Sequence, residues 1–228
     1  ELERAAQTFG VAPEVVVAII GVETRYGGNM GSYRVIDALS TLAFDYPPRS
    51  EFFGGELEEY LLMAREQRFD PLALKGSYAG AMGMGQFIPS SFRAYAVDFD
   101  GDGRADIWQS RSDAIGSVAN YFSKHGWEHG AAVVIPARAV AQVDTARMNP
   151  GLEPTVSAGE LAALGIAATM PLAPEQKVLP MMLEGASATE YWLGLHNFYV
   201  ITRYNRSPLY AMAVHQLSQA IRAGYERP

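Results

Sequence analysis

The sequence predicts a mainly α protein of the α+β class: a helical domain carrying a small inserted β-containing subdomain and an EF-hand-like loop. Three observations carry this. Apolar residues recur at helical spacing before residue 130 and again after residue 190. Across 131–190 the aromatics vanish, proline and alanine become frequent, and runs such as Ala132-Val133-Val134-Ile135 read as strand. Within the first stretch lies a twelve-residue Asp/Gly segment, 98–109, whose acidic side chains alternate. A chain of 228 residues suits one domain with an insertion, so we divide it into 1–130, 131–190 and 191–228.

The elements follow in chain order. Pro13 suits a first helical position, and Val15, Ile19 and Val22 recur on one face of a helix that Gly27-Gly28 stops. Val35, Ile36, Leu39, Leu42 and Ala43 predict a second helix, ending near Pro47-Pro48. Leu57, Tyr60, Leu61 and Ala64 predict a third. Ala114, Ile115, Val118, Ala119 and Phe122 predict a fourth, closed by Gly126. Ser157 and Glu160 stand at capping-box spacing before a small helix that ends at Gly165. Ser207-Pro208 opens a last helix running through Val214, Leu217 and Ile221.

Composition excludes several classes. A net charge of −7 gives no global basic field for nucleic acid. Without cysteine there is neither a disulfide framework nor a thiolate metal site. No apolar run approaches the ~20 residues of a membrane span. The chain opens on Glu1 rather than methionine, so the lack of a visible signal segment says nothing about export. The four histidines show no zinc spacing, and no Gly-x-Ser-x-Gly elbow or Gly-Lys-Ser/Thr phosphate loop is present.

Four segments can carry chemistry. Glu23 ends a strongly apolar stretch, where oil and the negative end of a helix dipole both favour a protonated carboxyl able to donate. Spacing alone leaves open a plain ion pair with Arg25 or Arg34. Gly76 to Pro89 holds four glycines in ten residues beside Ser77, Tyr78, Met82, Met84 and Gln86. Such a backbone can pass close to a flat or bulky partner. In 98–109, acids fall at loop positions one, three, five and nine (Asp98, Asp100, Asp102, Asp106), glycine at six and Ile107 at ten. Position seven, Arg104, would supply a carbonyl, which is the EF-hand calcium pattern. Gln109 replaces the bidentate acid usual at position twelve, so weaker binding or a shifted ligand is expected; an Asp/Gly turn without metal is the alternative. Finally, Tyr191, Trp192, Phe198, Tyr199, Tyr204 and Tyr210 crowd around Asn205, as rings and amides do in sugar clefts, though any one ring also suits a core and Asn205 also suits a helix cap.

The ordered blocks GVETRYG, DALSTLAFDYPPR, FFGGELEEYLLMAR, GSYAGAMGMGQFIPSSF, DGDG, DAIGSVANYF and NFYVITRYNRSPLYAMAV resemble the lytic murein transglycosylase B family, glycoside hydrolase family 103. The resemblance spans roughly residues 1 to 222 and is weakest across 131–190. It implies a lysozyme-like helical fold, a periplasmic site of action, peptidoglycan glycan strands as substrate, and a structural Ca²⁺ held by Asp98, Asp100, Asp102, the Arg104 carbonyl and Gln109. Other cell-wall enzymes are possible partners. It also implies Glu23 as the single catalytic acid/base, with Arg49, Phe52, Ser77, Gln86, Tyr121, Tyr204, Asn205 and Tyr210 contacting substrate. Pro48 stands where some members carry a second arginine. Asp37, Asp45, Glu51 and Glu56 are near Glu23 in sequence but read as caps or exposed helix positions, so a lone acid with a substrate acetamido nucleophile is the expected mechanism. A hydrolytic muramidase of the same fold and a non-catalytic peptidoglycan-binding module are the alternatives.

Overall fold

A computed structural model describes residues 1–226, about half of them helical. Two compact units emerge: Glu1–Lys124 together with the chain from Leu217 on, and His125–Gln216. These limits differ from 130/131 and 190/191 because strand pairing and helix packing, rather than composition, draw them.

The first unit contains α1 (Leu2–Phe9), α2 (Pro13–Thr24), α3 (Val35–Asp45), α4 (Ser50–Gln67), α5 (Pro89–Tyr95) and α6 (Arg111–Lys124). A short antiparallel ladder joins β1 (Tyr33–Arg34) to β2 (Lys75–Gly76). Burying Val16, Ile19, Leu39, Tyr60, Met63, Met82, Ile107 and Phe122 gives the unit its core. Helix α2 begins at Pro13, whose missing N–H costs nothing in a first turn. Its apolar residues are buried nearly all round (Val15, Val16, Ala18, Ile19, Ile20), as expected of a helix inside a core. Helix α4 starts seven residues before the apolar spacing suggests: a 3₁₀ turn at Pro47–Arg49 leads directly into it. Gly54 and Gly55 lie within α4 and face open space, so they cost helix propensity without breaking packing.

The second unit holds a five-stranded antiparallel sheet of order β4-β6-β7-β3-β5. Its strands are β3 (Val134–Ala139), β4 (Val156–Ser157), β5 (Ile166–Ala168), β6 (Lys177–Glu184) and β7 (Thr189–Gly194). The β6–β7 hairpin runs from Leu179 opposite Gly194 to Glu184 opposite Thr189, and β3 flanks β7 from Val134 opposite Gly194. One face buries Ile135, Leu161, Leu164, Ile166, Val178 and Leu193. The small helix after Ser157 is 3₁₀ rather than α (Ala158–Leu164), but it keeps its expected signals: the Glu160 carboxylate accepts the Ser157 N–H at 3.2 Å, and Gly165 closes it at φ +78°. Helices α7 (His196–Tyr204) and the first part of α8 (Pro208–Tyr225) complete the unit.

Candidate active site and acidic loop

Glu23 stands one residue from the C-terminus of α2 and is half-buried. Arg25 and Tyr26 then turn the chain sharply, both in the left-handed region at φ +53° and +60°. The Arg25 N–H reaches the Gly21 carbonyl at 2.9 Å and the Tyr26 N–H the Ile20 carbonyl at 3.2 Å, which satisfies carbonyls the helix end would otherwise leave open. Arg34, one of the two cations available for a plain ion pair, sits 2.6 Å from Asp37. Thr24, buried, bolts this turn to the glycine-rich segment. Its hydroxyl lies 3.1 Å from the Ile20 carbonyl and 2.9 Å from the Met84 carbonyl, to one of which its single proton is donated, and it accepts the Gly27 N–H at 2.9 Å.

Close backbone approach explains the glycines of that segment. A Cβ on Gly31 would lie 2.0 Å from the Gly76 carbonyl oxygen, so the strand leaving Glu23 and the start of the glycine-rich turn touch main chain to main chain. Gly80, at φ +81°, lies against Leu39 of α3, where a Cβ would fall 2.4 Å from Cδ2. The Ser77 hydroxyl accepts the N–H groups of Ala79 (3.3 Å) and Ala81 (3.0 Å) and keeps its own proton to donate. Both N–H groups of the Gln86 amide are spent, on Gly83 (3.0 Å) and Met30 (3.2 Å), leaving its carbonyl as the group it can offer. Thus Glu23, Ser77 and Gln86 are carried by segments locked to one another.

The other expected site residues of this unit are placed differently. Arg49 stacks its guanidinium over Phe52 at 4.3 Å, and Phe52 packs edge-on against buried Phe53 at 5.0 Å. Arg49 and Phe52 are both exposed. Tyr121 is 8 % exposed, its ring held by Tyr95 (4.9 Å) and by Phe87 (5.8 Å) of the glycine-rich segment. Among the neighbouring acids, Glu56 is buried and caps α5, accepting the Ser90 N–H at 2.9 Å and its hydroxyl at 2.6 Å. In the other unit, Tyr204 and Tyr210 are half-buried and Asn205 is exposed between α7 and α8. The cap of α8 is Ser207, whose hydroxyl accepts the Tyr210 N–H at 3.3 Å, so Asn205 is not consumed as a cap.

The acidic loop folds around Asp98, whose oxygens accept the N–H groups of Gly101 (2.7 Å), Asp102 (3.0 Å) and Gly103 (2.8 Å). Carboxylate oxygens of Asp98, Asp100 and Asp113 lie within 4.8 Å of one another. Asp102 is outside that group of carboxylates. Asp113 is the residue the spacing argument missed. It lies beyond the twelve-residue window in the first turn of α6, and its only sequence signal is an acid among positions that otherwise face the core. It is wholly buried, accepting N–H groups from Phe99 (2.7 Å), Asp100 (3.2 Å) and Asp106 (2.7 Å). Burial pushes its pKa up, and the three N–H groups partly offset this. Three hard oxygen donors fit a cation such as calcium. Phe99 pins the loop: its ring fills the space a Cβ on Gly116 would need, at 2.5 Å, and the Arg4 guanidinium of α1 covers it at 3.7 Å.

A family profile described as "Transglycosylase SLT domain" matches residues 1–219. The membrane-bound lytic murein transglycosylase B of Escherichia coli (strain K12) is 53% identical over 220 residues; the match takes in 96% of this chain and 60% of that protein, so the chain spans under two thirds of its relative. A crystal structure of a soluble lytic transglycosylase from Pseudomonas aeruginosa superposes with a TM-score of 0.95 at 57% identity, covering 99% of this chain and 75% of that one. An Escherichia coli lytic transglycosylase in complex with calcium superposes with a TM-score of 0.92 at 51% identity, covering 99% and 71%.

Proposed function

The chain belongs to the transglycosylase SLT domain family, and from that premise we propose that it is a peptidoglycan lytic transglycosylase with Glu23 as its only acid/base. One observation carries the reading: Glu23 is delivered by the end of a buried apolar helix whose turn is bolted, through Thr24 and Gly31, to the segment bearing Ser77 and Gln86. Two nearby acids that a paired-carboxylate mechanism could use are otherwise occupied, Glu56 as the α5 cap and Asp37 by Arg34. In the proposed reaction protonated Glu23 gives its proton to the oxygen between N-acetylmuramic acid and N-acetylglucosamine. The muramic acetamido oxygen attacks the anomeric carbon, forming an oxazolinium. The Glu23 carboxylate then takes the proton of the C6 hydroxyl, whose oxygen closes a 1,6-anhydro ring as the oxazolinium opens. No water is consumed. Ser77, with a free proton, and Gln86, with a free carbonyl, are suited to hold the acetamido and hydroxyl groups. Arg49, Phe52, Tyr121, Tyr204, Asn205 and Tyr210 are further proposed substrate contacts.

Asp98, Asp100 and Asp113, with Asp102, the Arg104 carbonyl and Gln109 as the remaining loop donors, would hold a structural Ca²⁺; a calcium-bound relative supports this. Action outside the cytoplasm follows from the substrate. The decisive experiment is product mass from purified sacculi. Anhydro-muropeptides, one water lighter than hydrolysis products, are expected. Glu23→Gln should lose roughly 10²- to 10⁴-fold in rate while remaining folded. Reducing-end products, or near-native turnover in the variant, would overturn the reading.

A further inference from the structure

We infer that Thr24 and Ile107 are positioning residues for the acid: they grip Met84 from its two ends, so that Glu23 takes its place from the acidic loop. This rests on the reading of Glu23 given above. The Met84 N–H donates to the Ile107 carbonyl at 2.9 Å, and the Met84 carbonyl lies 2.9 Å from the Thr24 hydroxyl. The other acceptor within reach, the Ile20 carbonyl, is farther at 3.1 Å and already receives the Tyr26 N–H, so we assign the Thr24 proton to Met84. A threonine in a last helical turn can satisfy itself on the carbonyl four residues back. The reach to Met84, 60 residues on, therefore calls for a use.

Thr24 follows Glu23 and is the last residue of α2, so fixing its side chain fixes the main chain that carries the acid. Its hydroxyl also accepts the Gly27 N–H, which ties both sides of the turn. On the far side stands Ile107, buried, near the end of the acidic loop. A Cβ on Gly83 would fall 2.5 Å from Ile107 Cγ1 and 2.8 Å from its carbonyl oxygen. Glycine at 83 thus lets the loop press directly on the turn that carries Met84 and Gln86, which the Gln86 N–H closes on the Gly83 carbonyl at 3.2 Å. Next to Ile107, the Asp106 N–H donates to Asp113 at 2.7 Å. Asp113 belongs to the three carboxylates whose oxygens lie within 4.8 Å of one another. Like charges so close repel, and a cation among them would relieve the repulsion. Three hydrogen bonds, of 2.7, 2.9 and 2.9 Å, therefore join that cluster to the residue beside the acid. Coupling along such a contiguous line shows as effects that fail to add.

Kinetics on purified sacculi, with Tm as the check on folding, test it. Thr24→Val keeps the shape and removes the hydroxyl, Thr24→Ser keeps the hydroxyl, and Ile107→Val trims the contact with Gly83. Thr24→Val should lower kcat about tenfold at unchanged KM, since a small misplacement of a reacting group is costly. Thr24→Ser should stay near native. Ile107→Val should lower kcat in the native chain and no further in the Thr24→Val chain, because a link already cut cannot be cut again. Calcium should raise kcat of the native chain and chelator lower it, at temperatures where the chain stays folded. That gain should vanish in Thr24→Val while the gain in Tm persists. Losses that multiply in the double variant overturn the inference, as do Thr24→Ser as slow as Thr24→Val, a loss in KM alone, and a native kcat indifferent to calcium. Should Thr24→Val not fold, Ile107→Val takes its place: the calcium gain in kcat should shrink there with the Tm gain kept, and an undiminished gain overturns the inference. Variants at the native rate beside an inactive Glu23→Gln would sink the positioning alone. A Glu23→Gln chain as fast as native would sink the reading of the acid with it.

Discussion

Glu56 and Glu23 are carboxylates of one unit with opposite employment. Glu56 is 6% exposed and spends both oxygens on Ser90, closing the first turn of α5. Removing its charge leaves a buried donor poorly matched, so Glu56→Gln should cost about 1–3 kcal/mol. Urea denaturation checks this: a lower midpoint with unchanged slope is expected, with sacculus cleavage intact at temperatures where the variant stays folded. An unchanged midpoint would show that the cap contributes nothing. The contrast with Glu23→Gln, which should lose rate without losing stability, separates the two roles. Sequence reasoning left Glu56 between a cap and an exposed helix position and could not choose, because its partner lies 34 residues away. Asp113 escaped for a related reason. Its three N–H donors come from a loop that precedes it, and no local spacing encodes them.

Elements whose apolar residues recur at helical spacing were legible, and those that depend on distant partners were not. Helices α2, α3, α6 and α8 follow that spacing, α2 and α6 while buried nearly all round. Strand β6 did not announce itself. Pro180 interrupts it, and a proline normally argues against a paired strand. Its N–H is missed little, because pairing to β4 stops at Val178 while β7 continues opposite Pro180 on the other side. Helix α7 was masked by its aromatics, Phe198, Tyr199 and Tyr204, which read as a binding surface, although Phe198 is wholly buried. The glycine-rich turn is the element most exposed to single substitutions. Gly80→Ala would place a methyl 2.4 Å from Leu39 Cδ2 in a left-handed conformation. Overpacking and backbone strain together should cost about 2–4 kcal/mol. Thermal melting is the measure; a Tm within a degree or so of native would contradict the packing described.

For the molecule as a whole, the proposed calcium site in the acidic loop ties stability to ions. A cation bound only by the folded chain adds about 2.7 kcal/mol when present at 100 times its Kd. Tm should therefore rise with calcium and fall with chelator in the native chain, and the rise should vanish in Asp100→Asn. A Tm indifferent to calcium would remove the ion from the loop. The same loop has a consequence for biosynthesis. Phe99 carries α1 through Arg4, and its own ring is housed by Gly116. An eight-residue helix does not persist alone in water. At roughly 5–20 residues per second, α1 must wait on the order of 5 to 20 s after its own synthesis for its anchor. During that interval Leu2–Phe9 lacks this partner and lies open to whatever handles nascent chains.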